Sequence, residues 1–200
     1  QKPPLIYWLI CSAYELFGIN LFAARLVSVL CGAGLAVVAS KLCRELWNRD
    51  GTLAGLLALS AVGVAIEARR AMLDLPMGFL SALAVLIGLR FSRTRSAATA
   101  IAAGVALAAG VLMKGPVAIL FVATAAIAGQ IAFRGRPRFG PEPRAWPRLL
   151  VATAVFLGLV LPWPISMAMT WPQLGDVLAE QSEARQFTFI RLGAIGPVIG

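Results

Sequence analysis

The sequence predicts an all-α polytopic membrane protein, a transmembrane helix bundle of about six spans with an interfacial helix beside it. Three observations lead there. Of the 200 residues 60% are hydrophobic and only 14% charged, where a soluble domain carries roughly 25% charged residues. Apolar stretches close to the ~20 residues needed to cross a hydrocarbon core recur between short charge clusters. The basic residues are concentrated in alternate connections, as a chain that threads back and forth through a membrane requires.

Residues 5–17, "LIYWLICSAYELF", are short for a span and carry Tyr7, Trp8, Tyr14 and Glu15. Amphipathic rings of this kind sit at headgroup level, so 1–17 is predicted to be an interfacial segment. The first span is expected at about 21–40, with Arg25 near one end where its stem can snorkel. Further spans are expected at about 52–67, 75–91, 97–113, 116–133 and 148–168, so that 21–168 forms the helix bundle. The fourth, "AATAIAAGVALAAGVLM", is dominated by small side chains that let helices approach closely. Residues 170–200 lack spanning hydrophobicity and are expected to form an outward-facing loop.

Charge orients these spans. The connections at 41–50, 90–95 and 134–148 hold eleven of the eighteen basic residues and three acids, Glu45, Asp50 and Glu142. They are every second connection, and the positive-inside rule places them in the cytoplasm. The chain start, 67–74, 113–116 and the tail then face outward; with Arg25 near the end of the first span, that side has seven basic and six acidic residues. The net charge of +9 is accounted for by topology, and nucleic acid is not expected as a partner. The three cysteines have no CxxC spacing and there is no histidine, which argues against a disulfide framework or a zinc site made by this chain alone.

The outward charges are the ones topology leaves unexplained. In "ARRAMLDLPMGFL" (68–80), Asp74 stands before Leu75-Pro76 and an apolar run, where it could cap the next helix, either as its whole role or together with a ligand contact. The Arg69-Arg70 pair beside it is a costly cluster at a membrane surface and leans toward the second reading. In "VLMKGPVAIL" (111–120), Lys114 precedes a Gly-Pro break. It reads equally as a snorkelling lysine beside a hairpin turn or as a point charge for an anionic headgroup. "LAEQSEARQF" (178–187) can form an amphipathic helical stretch and by itself is a solvated face.

Taken together, "KPPLIYWL" (2–9), "GINLFAARLVSVLCG" (18–32), "RRAMLDLPM" (69–77), "LMKGPVAIL" (112–120), "LPWPISMAM" (161–169) and "EARQF" (183–187) resemble the GT-C polyprenyl-phosphate-dependent glycosyltransferases, in the superfamily of aminoarabinose transferases and protein mannosyltransferases. The resemblance covers nearly the whole chain and implies a GT-C type helix bundle in the bacterial inner membrane. Its implied activity is sugar transfer, hexosyl or pentosyl, from a polyprenyl-phosphate donor to a lipid, protein or glycan acceptor at the outer face, with inversion. By the same resemblance Lys2 matches the lysine of an E-K-P-P motif that contacts the donor phosphate. Asp74 matches a D-x-P turn, Lys114 a K-G-P turn, and Arg185 an outward-loop arginine; Arg69 and Glu183 are further substrate-binding candidates. Gln1 stands where the family has glutamate, so the cofactor stays open: a divalent metal is one option, with no complete site visible. The catalytic acid is expected upstream of Gln1, which makes the chain a partial GT-C domain, expected to be inactive alone. A transporter or flippase for an anionic lipid is the alternative; it would place functional charges near the midplane, in inverted repeats, whereas these charges sit at span ends.

Overall fold

The computed structural model describes residues 3–70, 72–132 and 146–170. The chain divides into two compact units, Gln1–Val160 and Leu161–Gly200. Among the described residues the first unit contains α1 (Leu5–Phe17), α2 (Leu21–Trp47), α3 (Thr52–Ser60), α4 (Val62–Arg70), α5 (Asp74–Thr94), α6 (Ala97–Lys114), α7 (Val117–Ala132) and α8 (Trp146–Val160). The second contributes α9 (Pro162–Thr170).

Among the described residues four stretches are long and apolar enough to cross a membrane: Leu21–Trp47, Asp74–Thr94, Ala97–Lys114 and Trp146–Thr170. The expected second span is instead two helices, α3 and α4, bent by 59° at Ala61, and it counts as a fifth crossing if taken as one. The break has local causes. The Ser60 hydroxyl donates to the Leu57 carbonyl at 3.1 Å, a side-chain bond that competes with helix continuation, and Gly63 two residues on lowers helix propensity. The expected fifth span is α7, whose 16 residues rise about 24 Å.

Local chemistry sets the helix ends. The Asn20 carboxamide accepts from the Ala23 N–H at 2.8 Å, an N-cap that starts α2. Asn48 and Arg95 close α2 and α5 in the left-handed conformation, at φ 55° and 51°, each with its N–H returned to a carbonyl four residues back, Arg44 and Phe91. Helix α2 therefore runs seven residues past the expected end at 40, to Trp47.

Helices α2, α5 and α6 form the centre; α1 packs on α2 and α6, α3 and α4 on α2, α7 on α5 and α6, and α8 on α6. The core is built from small side chains. Ala23, Ala100, Ala108 and Gly104 are buried, and a Cβ on Gly104 would lie 2.6 Å from the Ala152 carbonyl oxygen of α8. Between α2 and α3 a Cβ on Gly51 or Gly55 would collide with Ser40. Large apolar residues such as Leu21, Phe22, Leu30, Leu56, Leu120 and Leu150 are exposed. This inversion of the soluble pattern is what small-residue helix packing within hydrocarbon requires.

The bundle has two chemically different ends. Glu45, near the end of α2, is held by Arg90 Nε at 3.2 Å and Arg93 Nη1 at 2.5 Å, both from the end of α5. The connections 41–50 and 90–95, predicted to share a side, do lie at one end. The start of α5 and the end of α6 meet at the other, about 30 Å away along α5 at 1.5 Å per residue.

Candidate functional site

At the other end, where basic and acidic residues nearly balance, α1 enters the bundle. Pro3 is buried, and Ile6 joins Met77, Val111, Met113 and Ala118 in one apolar cluster, with Leu5, Val27 and Leu73 packed against it. Met113 is 1% exposed, and it fixes the last turn of α6 directly below Lys114. On the α2 side, the Ser28 hydroxyl reaches the Met72 carbonyl at 3.5 Å and ties the residues before α5 to the bundle.

Above this apolar floor the Lys114 ammonium donates to Asp74 Oδ1. The pair joins the last residue of α6 to the first residue of α5. This corrects the expectation that Asp74 caps the helix: Leu73 is the N-cap residue, no side-chain cap bond is made, and Asp74 lies inside the first turn. The reason is competition for one carboxylate. A charge-assisted bond to an ammonium outweighs a bond to a neutral amide, and the negative charge still favours the N-terminus of α5 through the helix dipole.

The K-G-P turn is formed as the sequence suggests. Gly115 has φ +99°, a conformation that favours glycine, and its N–H bonds the Val111 carbonyl at 2.6 Å. Pro116 follows, and the Ile119 N–H returns to its carbonyl at 3.0 Å as α7 begins. Lys114 is therefore held on a rigid break between two helices. With side chains 38% and 51% exposed, the Lys114–Asp74 pair is worth about 0–1 kcal/mol as a staple. An ammonium has three donors, so Lys114 can hold Asp74 and still present N–H groups to a second anion.

Arg69 is exposed in the last turn of α4 beside Arg70, where the helix dipole favours a cation. Lys2, Glu183 and Arg185 lie outside the described residues, as does Gln1. Of the sequence-predicted candidates, the structure thus brings Asp74 and Lys114 together. Sequence reasoning counts Glu67 of α4 among the unexplained outward charges near the span ends but gives it no role; its Oε2 is buried without a hydrogen-bond partner among the described residues. Its only signal is an acid within the apolar run 62–68. Among the described residues no three His, Cys, Asp or Glu side chains converge as a metal ion would require.

A relative from Pseudomonas fluorescens, undecaprenyl phosphate-alpha-4-amino-4-deoxy-L-arabinose arabinosyl transferase 2, is 34% identical over 194 residues, covering 94% of this chain and 32% of the relative. The crystal structure of ArnT from Cupriavidus metallidurans in the apo state superposes with a TM-score of 0.69 at 24% identity, over 86% of this chain and 32% of that one. The same protein bound to undecaprenyl phosphate gives 0.67 at 22% identity, with the same coverage. The chain therefore spans about a third of the length of the relatives it matches. These structures show the fold, a GT-C type bundle of transmembrane helices. Residues 1–164 match the model of the dolichyl-phosphate-mannose-protein mannosyltransferase family, and the chain belongs to that family.

Proposed function

We propose that the intact protein is a membrane glycosyltransferase that moves a sugar, pentosyl or hexosyl, from a polyprenyl-phosphate donor to an acceptor at the periplasmic face of the bacterial inner membrane. The observation that carries this reading is the Lys114–Asp74 pair: a cation held by a helix break at the charge-balanced end of a membrane bundle, weakly paired and able to meet a phosphate. The full-length arabinosyl transferase relative and the ArnT complex with undecaprenyl phosphate support the donor class.

In the proposed reaction the acceptor oxygen attacks the anomeric carbon as the bond to the lipid phosphate breaks, in one displacement with inversion. The acceptor proton passes to a carboxylate expected before Gln1, and the electron pair leaves on the phosphate oxygen. Lys2, Lys114 and Arg185 stabilise that developing charge, the electrostatic task that contributes most in such transfers. Asp74 is a positioning residue, which holds Lys114 at the end of α6. Arg69 and Glu183 are proposed to contact the substrate at the same face.

The test is a transfer assay on the intact protein with radiolabelled polyprenyl-phosphate sugar. Label moves to an acceptor, and Lys2→Ala abolishes the movement while leaving expression unchanged. Movement of the whole labelled lipid across a vesicle membrane, with no transfer, would establish a flippase instead.

A further inference from the structure

At the basic end α5 packs on both α2 and α7, but α2 and α7 do not close on each other. They leave a cavity of about 620 Å³, walled by Leu42 and Leu46 of α2, Val85 and Leu89 of α5, and Ala125 and Gly129 of α7. The α7 wall is made of small residues that cannot fill the gap. Polar lining comes from Trp47 and Ser92, in the last turns of α2 and α5, and from Arg95, which caps α5. The walls belong to helices that include two membrane spans, and an apolar cavity does not hold water. Its volume falls in the range of small-molecule sites.

The charge around its polar end selects among hydrocarbon occupants. The described residues of this end of the bundle include Lys41, Arg44, Arg49, Arg90, Arg93, Arg95 and Arg148, against Glu45 and Asp50, and Arg95 lines the cavity itself. Two of the arginines share Glu45, and Arg44 lies 3.7 Å from Asp50, which still leaves a net positive rim. Basic pockets between transmembrane helices on the cytoplasmic side bind anionic lipid headgroups, and an indole is at home at that depth. We propose that this cavity seats an anionic phospholipid from the leaflet at the basic end, with an acyl chain between α2, α5 and α7 and the phosphate at the basic rim beside Arg95, the Ser92 hydroxyl being committed to the Leu89 carbonyl. The seat is at the opposite end from Asp74 and Lys114 and does not depend on the proposed transfer reaction.

The experiment uses the intact protein in nanodiscs of phosphatidylcholine doped with phosphatidylglycerol that carries a diazirine near the end of one acyl chain. After illumination, labelled residues are mapped by mass spectrometry. Label is expected on Leu46, Ala125 or Gly129, displaced at least tenfold more effectively by unlabelled phosphatidylglycerol than by phosphatidylcholine. Arg95→Gln should remove that preference, and Ala126→Trp should reduce the label by occupying the cavity. No label on these residues in the unmodified protein would overturn the proposal; a neighbouring span or residues 133–145 filling the cavity would give that result. Equal displacement by both lipids would overturn it too, because only bulk membrane lipid would then be present. Neither of these two readouts depends on a variant folding.

Discussion

The two ends of the bundle solve the same problem, charge at a membrane surface, in different ways. At the basic end Glu45, 18% exposed in its side chain, is gripped by two arginines at 2.5 and 3.2 Å, and Arg93 also donates to the Glu45 backbone carbonyl at 2.6 Å. At the other end one exposed lysine meets one exposed aspartate. The first arrangement fastens α2 to α5 and uses both carboxylate oxygens. The second leaves donors on the ammonium unspent. The difference separates charges that hold the bundle together from charges available for chemistry.

That division can be broken or sharpened by experiment. The largest effect is expected from Lys114→Ala in the intact protein: transfer falls by about 100-fold or more, as removal of one electrostatic stabiliser does, while the thermal midpoint changes little. Asp74→Asn should cost less activity, because the lysine remains. A fall in thermal midpoint as large as the one produced at Glu45 would erase the distinction between the ends. Next comes Gly51→Val, which drives a side chain into Ser40 and should destabilise the α2–α3 contact by about 1–3 kcal/mol, measured by thermal unfolding in detergent. Glu45→Gln should lower stability by about 1–2 kcal/mol with transfer per folded molecule unchanged.

The smallest effect is at Asp50. Its carboxyl is held below the ordinary carboxylate range by the Thr52 hydroxyl at 2.8 Å and the Thr52 N–H at 3.2 Å, with Arg44 adding to the effect. A depressed folded-state pKa stabilises above the unfolded value and is lost as pH falls through the folded one. The stability difference between the unmodified protein and Asp50→Asn should therefore be present at neutral pH and shrink below about pH 4, followed by thermal unfolding across pH.

The bundle was legible in the sequence because its cause is compositional. Hydropathy locates helices, and basic clusters sort connections, without reference to distant residues. The beginnings of α5 and α6 fall within a residue of expectation for that reason. The bend at Ala61 was not legible, since "LALSAVGVAI" is apolar throughout and only a hydroxyl-to-carbonyl bond and a glycine mark the break. At the site, the K-G-P turn could be read because positive φ and proline leave a local signature. Asp74 was misread because its partner lies forty residues away, and a capping rule considers only neighbours. Glu67 could be seen as a charge near a span end, but only tertiary packing shows that its carboxylate is buried.

The Lys114–Asp74 contact also acts as a gauge of helix length. It can form only while the first residue of α5 and the last residue of α6 face each other across a two-residue connection, Arg95-Ser96, at the far end. One residue added or removed within either helix would turn everything beyond it by about 100° and shift it by 1.5 Å. Evolution can exchange apolar letters in these two helices wherever size permits, but it cannot vary their count by one without losing the contact, so homologous chains should differ here by substitution and keep the interval from Asp74 to Lys114 constant.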